Sequence, residues 1–361
     1  MYPNITVDTF KLRRNIQTVR LLCQKSGIEI TGVTKGFCGD RRIAEIFCEE
    51  GIDKLGDSRI MNLRNLEGLP AEKWLIRPPM ACEAEDTVQY ADVSVNSELD
   101  TIYRLNDCAR ARKKRHKIIL MADLGDIREG YVDYSELIDA ALLVEKMDSI
   151  DLYGIGTNLT CFSFIQPSTE KMRQLESLAE QIEQRIGRKL DVVSGGNSAT
   201  LHLMMNHGIP GRVNNLRLGE SLLFGRERAH YQYLPGTFKD AFVLHCQIIE
   251  LKTKPSLPWG TVGVDSYGNS PDFTDRGSKR LKAICALGKQ DFDLETTEPA
   301  DPEILVLGCS SDHLMLDLTD SRRDYHVGDV IDLIPGYFSL MRAFTSKYVE
   351  KTVESMEGIC R

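Results

Sequence analysis

The chain has 361 residues, 42% hydrophobic and 27% charged, the balance of a globular protein able to bury a large core. Its net charge of −8, from 45 basic and 53 acidic side chains, argues against a nucleic-acid partner, whose phosphates need a basic footprint. No run approaches the ~18 uninterrupted apolar residues of a membrane span, so no membrane partner is expected either.

In chain order, MYPNITVDTFKLRRN enters a strand-like and then a helix-like pattern without an apolar signal core, which reads as cytoplasmic. Short β-branched runs then alternate with longer amphipathic stretches. The strand candidates are residues 29–35, 54–58, 73–79, 92–97, 116–125, 150–159, 190–196 and 214–225. Between them, TEKMRQLESLAEQIEQRIG places Met172, Leu175, Leu178, Ile182 and Ile186 at helical spacing. Eight strands with intervening helices fit an α/β fold of the (β/α)8 barrel type better than an open doubly wound sheet.

After Gly225 the pattern changes. AFVLHCQIIEL, GTVGVDSYG, KRLKAICALG, EILVLGCSS, HLMLDLTD, DVIDLIPG and SKYVEKTVES alternate apolar and polar residues between Gly, Pro and Asp, predicting a C-terminal β domain. The break falls within RERAHYQYLPGTFKD and is placed between residues 230 and 231, with the strand at 4–8 a candidate to join the β domain. Ten cysteines contain no CxxC pair, so no metal or redox motif is expected; most read as reduced core thiols, Cys38 and Cys161 being candidate exceptions.

In a parallel barrel, chemistry collects at the C-terminal ends of the strands. Lys35 ends EITGVTK and precedes the small, bent GFCGD; a strand-end lysine short of neighbouring positive charge can lose its proton and act as a nucleophile, although a partly buried ion pair would read the same way. Arg128 lies in the Gly-flanked ADLGDIREG. VVSGGNSAT runs from a strand through two glycines to Asn197 and Ser198, which reads as an anion site or as an ordinary Ser cap. Arg217 stands between apolar residues beside Gly219 in NNLRLGES and needs an acceptor there.

Taken in order, these segments resemble the fold-type III pyridoxal 5′-phosphate (PLP) enzymes related to alanine racemase. The resemblance covers nearly the whole chain. It implies that Lys35 is the Schiff-base lysine, that Arg128 orients the active site near the cofactor's phenolic oxygen, and that Arg217 faces its pyridine nitrogen. Asn197, Ser198, the Gly219 amide and Tyr348 in TSKYVE match the phosphate-binding elements. DSRIMNL, GTNLTC, SSDHL and the start YPNITVD are similar to the ornithine-acting branch. The implied activity is therefore two-base racemisation of ornithine, with lysine, alanine or several amino acids as rival substrates. A head-to-tail homodimer is implied as well. A PLP- and metal-dependent D-threonine aldolase would need a His/Cys metal pair near the C-terminus that the sequence lacks, and a non-catalytic PLP-binding protein would end near residue 230.

The chain departs from the family where the second base stands. ALGKQDFD puts Lys289 in place of the family's tyrosine, and Asn158 replaces a histidine that stacks on the cofactor ring. Replacement acids are His313, expected in a loop, with Asp291, Lys289 and Cys161 as alternatives. Asp291 and Asp312, with Cys161, are candidate substrate contacts, because the distal ammonium of ornithine needs an acceptor once removed from water.

Overall fold

A computed structural model describes residues 1–264 and 268–355. The chain forms two compact units, Asp8–Ala241 and Met1–Val7 with Phe242–Glu354. The first strand, β1 (Asn4–Asp8), belongs with the second unit, where it pairs with the strand that begins at Phe242.

The first unit is a closed parallel barrel of β2 (Glu29–Val33), β3 (Lys54–Asp57), β4 (Glu72–Leu75), β5 (Val93–Asn96), β6 (His116–Met121), β7 (Ile150–Gly156), β8 (Val192–Ser194) and β9 (Asn215–Leu218). β9 closes on β2 with Arg217 opposite Thr31. Strand alternation explains the two cores. On β6, Ile119 and Met121 turn inward to meet Trp74, Val93, Val95 and Val192, while Ile118 and Leu120 face the helical layer. That layer includes Thr169–Ile186, whose Met172, Leu175, Leu178 and Ile182 are all buried as their spacing predicts. All eight expected barrel strands are present.

Three details differ from the sequence reading. The segment 214–225 is one short strand followed by a helix, Glu220–Phe224, buried on all sides and so without a polar face to reveal its period. The break between units lies eleven residues later than expected. Residues 226–240 stay with the barrel because Arg226 pairs with Glu220 at 2.6 Å, the Leu234 N–H bonds Gly225 O at 2.8 Å and the Phe238 N–H bonds Asn15 Oδ1 at 2.7 Å. Residues 260–264 of GTVGVDSYG are exposed and carry no strand; 265–267 lie outside the described residues.

The second unit is an antiparallel sheet of β1, β10 (Phe242–Lys254), β11 (Arg280–Ala286), β12 (Thr297–Pro299), β13 (Leu305–Cys309), β14 (His313–Asp317), β15 (Val330–Pro335) and β16 (Glu350–Glu354). Its central path runs β12-β15-β10-β11-β14-β13, with β1 joining β10 to β16. The α-helix Tyr337–Thr345 interrupts this β pattern and buries Ser339, Leu340, Ala343 and Phe344 at helical spacing. Among the described residues, no helix is long and apolar enough to cross a membrane.

Candidate active site

Lys35 opens a short 3₁₀ turn, Lys35–Phe37, immediately after β2, at the mouth of the barrel. The turn is compact: the N–H groups of Phe37 and Gly39 both bond Thr34 O at 3.2 Å. Burial lowers the proton affinity of the Lys35 amine, with Arg128 pushing the same way and Cys161, Asp57 and Glu129 pushing against it. A lysine of this kind can hold an unprotonated amine closer to neutrality than an exposed one.

Arg217, on β9, is 6% exposed and finds neutral acceptors, donating to Ser194 Oγ at 2.5 Å and Thr157 O at 2.6 Å. Ser194 passes its own hydrogen to Asn215 Oδ1 at 2.6 Å, and Asn215 Nδ2 reaches Thr31 Oγ at 3.0 Å. Burial pulls the guanidinium down to about 10, still charged at neutral pH. A buried cation without an ion-pair partner is suited to an electron-rich ligand.

Two loops complete the mouth, each folded around a buried aspartate. Asp123 accepts from the N–H groups of Gly125, Ile127 and Arg128 and so shapes the Arg128 loop. Asp126 accepts from the N–H groups of Cys161, Phe162 and Ser163, each at 3.1 Å, and so ties the Cys161 loop to the first. Arg128 is ion-paired with Glu129. The Asn158 amide lies 3.2 Å from Asn197 Nδ2 and, with its oxygen turned that way, 3.0 Å from Arg128 Nη2. Asn197 Nδ2 also donates to Leu159 O at 2.7 Å and reaches Cys161 Sγ at 3.5 Å. The structure therefore brings Arg128, Asn158, Cys161 and Asn197 into one bonded cluster.

Beside it, Ser198 Oγ lies 3.1 Å from Ser221 Oγ and accepts the Ser221 N–H at 3.3 Å. Ser198 thus joins the turn before helix Thr200–His207 to the start of Glu220–Phe224, whose N-cap is Gly219. Two helix starts and two hydroxyls converge here, a donor set that fits a phosphate group.

The remaining candidates lie in the second unit. Asp291 is 5% exposed and accepts a hydrogen bond from Ser346 Oγ at 2.8 Å. The same Ser346 Oγ accepts the N–H of Tyr348 at 3.1 Å, so one serine links Asp291 to the exposed Tyr348. Loop 287–293 packs tightly on residues 310–312: a Cβ on Gly288 would sit 1.7 Å from Ser311 O, a position open to glycine alone. The Lys289 N–H bonds Ser310 O at 2.9 Å, and Asp312 is held by Gln290 and Ser311. His313 does not project from a loop; it is the exposed first residue of β14, opposite Ala286, because the turn is completed by residues 310–312.

The family described as alanine racemase, N-terminal domain, matches residues 7–227. The chain belongs to the alanine racemase family. It is 43% identical to the ornithine racemase of Acetoanaerobium sticklandii over 351 residues, covering 97% of this chain and 99% of that protein. The lysine racemase of Thermotoga maritima is 36% identical over 356 residues, covering 98% and 99%. Among solved structures, alanine racemase from Bartonella henselae with covalently bound pyridoxal phosphate superposes with a TM-score of 0.70 at 16% identity, covering 97% of this chain and 99% of that one. Like its family, the protein is an amino-acid racemase.

Sequence reasoning passed over several residues that this alanine racemase family barrel places beside the mouth: Asp57, Glu129, Ser194 and Asp126. Asp57, Ser194 and Asp126 take partners from distant segments, whereas Glu129 pairs with its neighbour Arg128 and was overlooked as an ordinary loop carboxylate. Asp57, for example, bonds Thr34, 23 residues upstream.

Proposed function

We propose that this protein is an ornithine racemase that holds PLP on Lys35. The observation that carries the reading is the placement of Lys35, an amine depleted of proton affinity by burial, in the same barrel mouth as the neutral-partnered Arg217. The 43% identity to an ornithine racemase across nearly the whole chain supports the substrate; the 36% identity to a lysine racemase makes lysine the second candidate.

The residues fit the cofactor. Lys35 would hold it covalently. Ser198, Asn197, Gly219 and Tyr348 would receive the phosphate, Arg217 the ring nitrogen, and Arg128 with Asn158 the phenolic oxygen. PLP, when bound, supplies a conjugated sink that stabilises negative charge at the substrate Cα. The Lys35 amine would carry a proton to or from one face of the substrate Cα. Arg217, held by neutral acceptors and charged at neutral pH, would donate a hydrogen bond to the ring nitrogen and keep its own proton. The opposite face needs a second acid. His313 is assigned this role for its acid–base range, contributed by a second copy of the chain in a head-to-tail homodimer. Asp291 and Asp312 of that copy would receive the distal ammonium.

Borohydride reduction followed by peptide mapping tests the assignment and should place the phosphopyridoxyl group on Lys35; a label on Lys289 overturns it. An amino-acid panel resolved by chiral chromatography should show ornithine turned over faster than lysine or alanine. Mixing inactive Lys35→Ala with inactive His313→Ala should restore part of the activity through hybrid dimers, and a fully active monomer removes the dimer model.

A further inference from the structure

Asp57 ends β3 and is fully buried, yet it makes no ion pair among the described residues. A buried carboxylate is costly unless hydrogen-bonded and balanced by a nearby positive charge. Its three donors are Thr34 Oγ at 2.6 Å, the Arg59 N–H at 2.9 Å and Asn62 Nδ2 at 3.0 Å. Thr34 immediately precedes Lys35. Asn62, by its own side chain, receives the Cys38 thiol at 3.7 Å and lies under Gly39. Gly39 has φ +62°, and a Cβ there would meet Asn62 Cβ at 2.8 Å, so the far end of the turn is seated on Asn62 as well.

We propose that Asp57 is a positioning residue for Lys35: its carboxylate fastens both ends of the turn that presents the lysine. The inference rests on reading Lys35 as the attachment site. Asp57 acts through Thr34, Asn62 and the field at the amine. The other groups that act on that field are Cys161 and Glu129, which favour the ammonium, and Arg128, which disfavours it. Burial raises the Asp57 carboxyl above the usual carboxylate range, against the pull of its three hydrogen bonds and Lys35.

The test uses the full-length protein freed of cofactor, so its outcome is separate from the borohydride mapping of Lys35. Competitive acetylation across a pH series, read by peptide mass spectrometry, gives the midpoint at which Lys35 becomes reactive. Asp57→Asn removes the charge that favours the ammonium, so the midpoint should fall by about one pH unit, within the range expected for one nearby opposite charge. Thr34→Val keeps the charge and removes the 2.6 Å bond to Asp57, together with the longer 3.3 Å contact to Gly56 O. It should leave the direction of the midpoint unlike that of Asp57→Asn, slow the appearance of the cofactor's bound visible band at least tenfold, and lower kcat with KM unchanged; Thr34→Ser should restore both rates. An unmoved midpoint in Asp57→Asn, with only a lowered melting temperature, would overturn the proposal. If Asp57→Asn does not fold, Thr34→Val decides: cofactor capture and kcat at the wild-type level overturn it.

Discussion

Arg217 Nη1 and Asn215 Oδ1 share one hydroxyl: Ser194 Oγ receives the first at 2.5 Å and donates to the second at 2.6 Å. With Thr31 beyond Asn215, this makes a continuous line of neutral groups across the barrel interior behind a buried cation. Each member satisfies its neighbour, so none can be removed without leaving a polar atom bare.

Ser194→Ala should therefore lower stability by about 1–3 kcal/mol, the cost of stranding buried polar groups. It should lower kcat as well, since among the described residues the guanidinium of Arg217 then keeps the Thr157 carbonyl alone. Denaturant unfolding and steady-state kinetics check both. A variant with wild-type stability would show that the line can rearrange.

Asp126→Ala removes three N–H acceptor contacts at once from residues 161–163. The loop also contains Thr160 and Phe164 at positive φ, conformations that side chains hold only when the surroundings impose them. Hydrogen exchange should rise selectively in residues 160–164, and cofactor affinity should fall by at least tenfold. Unchanged protection of this loop would place its restraint elsewhere.

How far these features could be read in advance depended on how local they are. The barrel was legible because short β-branched runs alternate regularly with helices that, like Thr169–Ile186, keep one buried face. Lys35, Asn197 and Arg217 were legible as strand-end residues beside glycines. Asp57 was not, since its meaning lies in Thr34 and Asn62 from two other segments. Helix Tyr337–Thr345 had the right spacing but stood among alternating strands whose period dominates the region. Asp291 stood out as a candidate substrate contact, but its burial beside Ser346, 55 positions later, had no local signal.

His116 gives a prediction about pH. It starts β6 with 2% exposure, bonded to Ser94 Oγ at 2.8 Å, and burial pushes its imidazole down to about 4 from 6.5. The folded value lies below the unfolded one, so the unfolded chain takes up a proton first as pH falls. Stability is then lost between about pH 6.5 and pH 4, and retained above that window. From pH 7 to pH 5 the loss from this group should be about 2 kcal/mol. Comparing unfolding free energies of the wild type and His116→Gln at the two pH values isolates it. The same slope in both would assign the acid sensitivity to other groups.

The last prediction concerns selectivity. Asp291 is buried with a hydroxyl donor from Ser346 and makes no ion pair among the described residues. A carboxylate in that state is suited to a cationic group arriving from outside the unit, and ornithine differs from neutral amino acids by one distal ammonium. A charge-assisted hydrogen bond of this kind is worth roughly 1.5–3 kcal/mol. Asp291→Asn keeps the volume and removes the charge, so kcat/KM for ornithine should fall by about 10- to 150-fold. Alanine, which has no distal ammonium, should change by no more than about twofold on that arithmetic. Ser346→Ala leaves the charge but frees the carboxylate to turn, and should give a smaller loss in the same direction. Equal losses for ornithine and alanine would show that Asp291 supports the loop at 287–293 without reading the substrate.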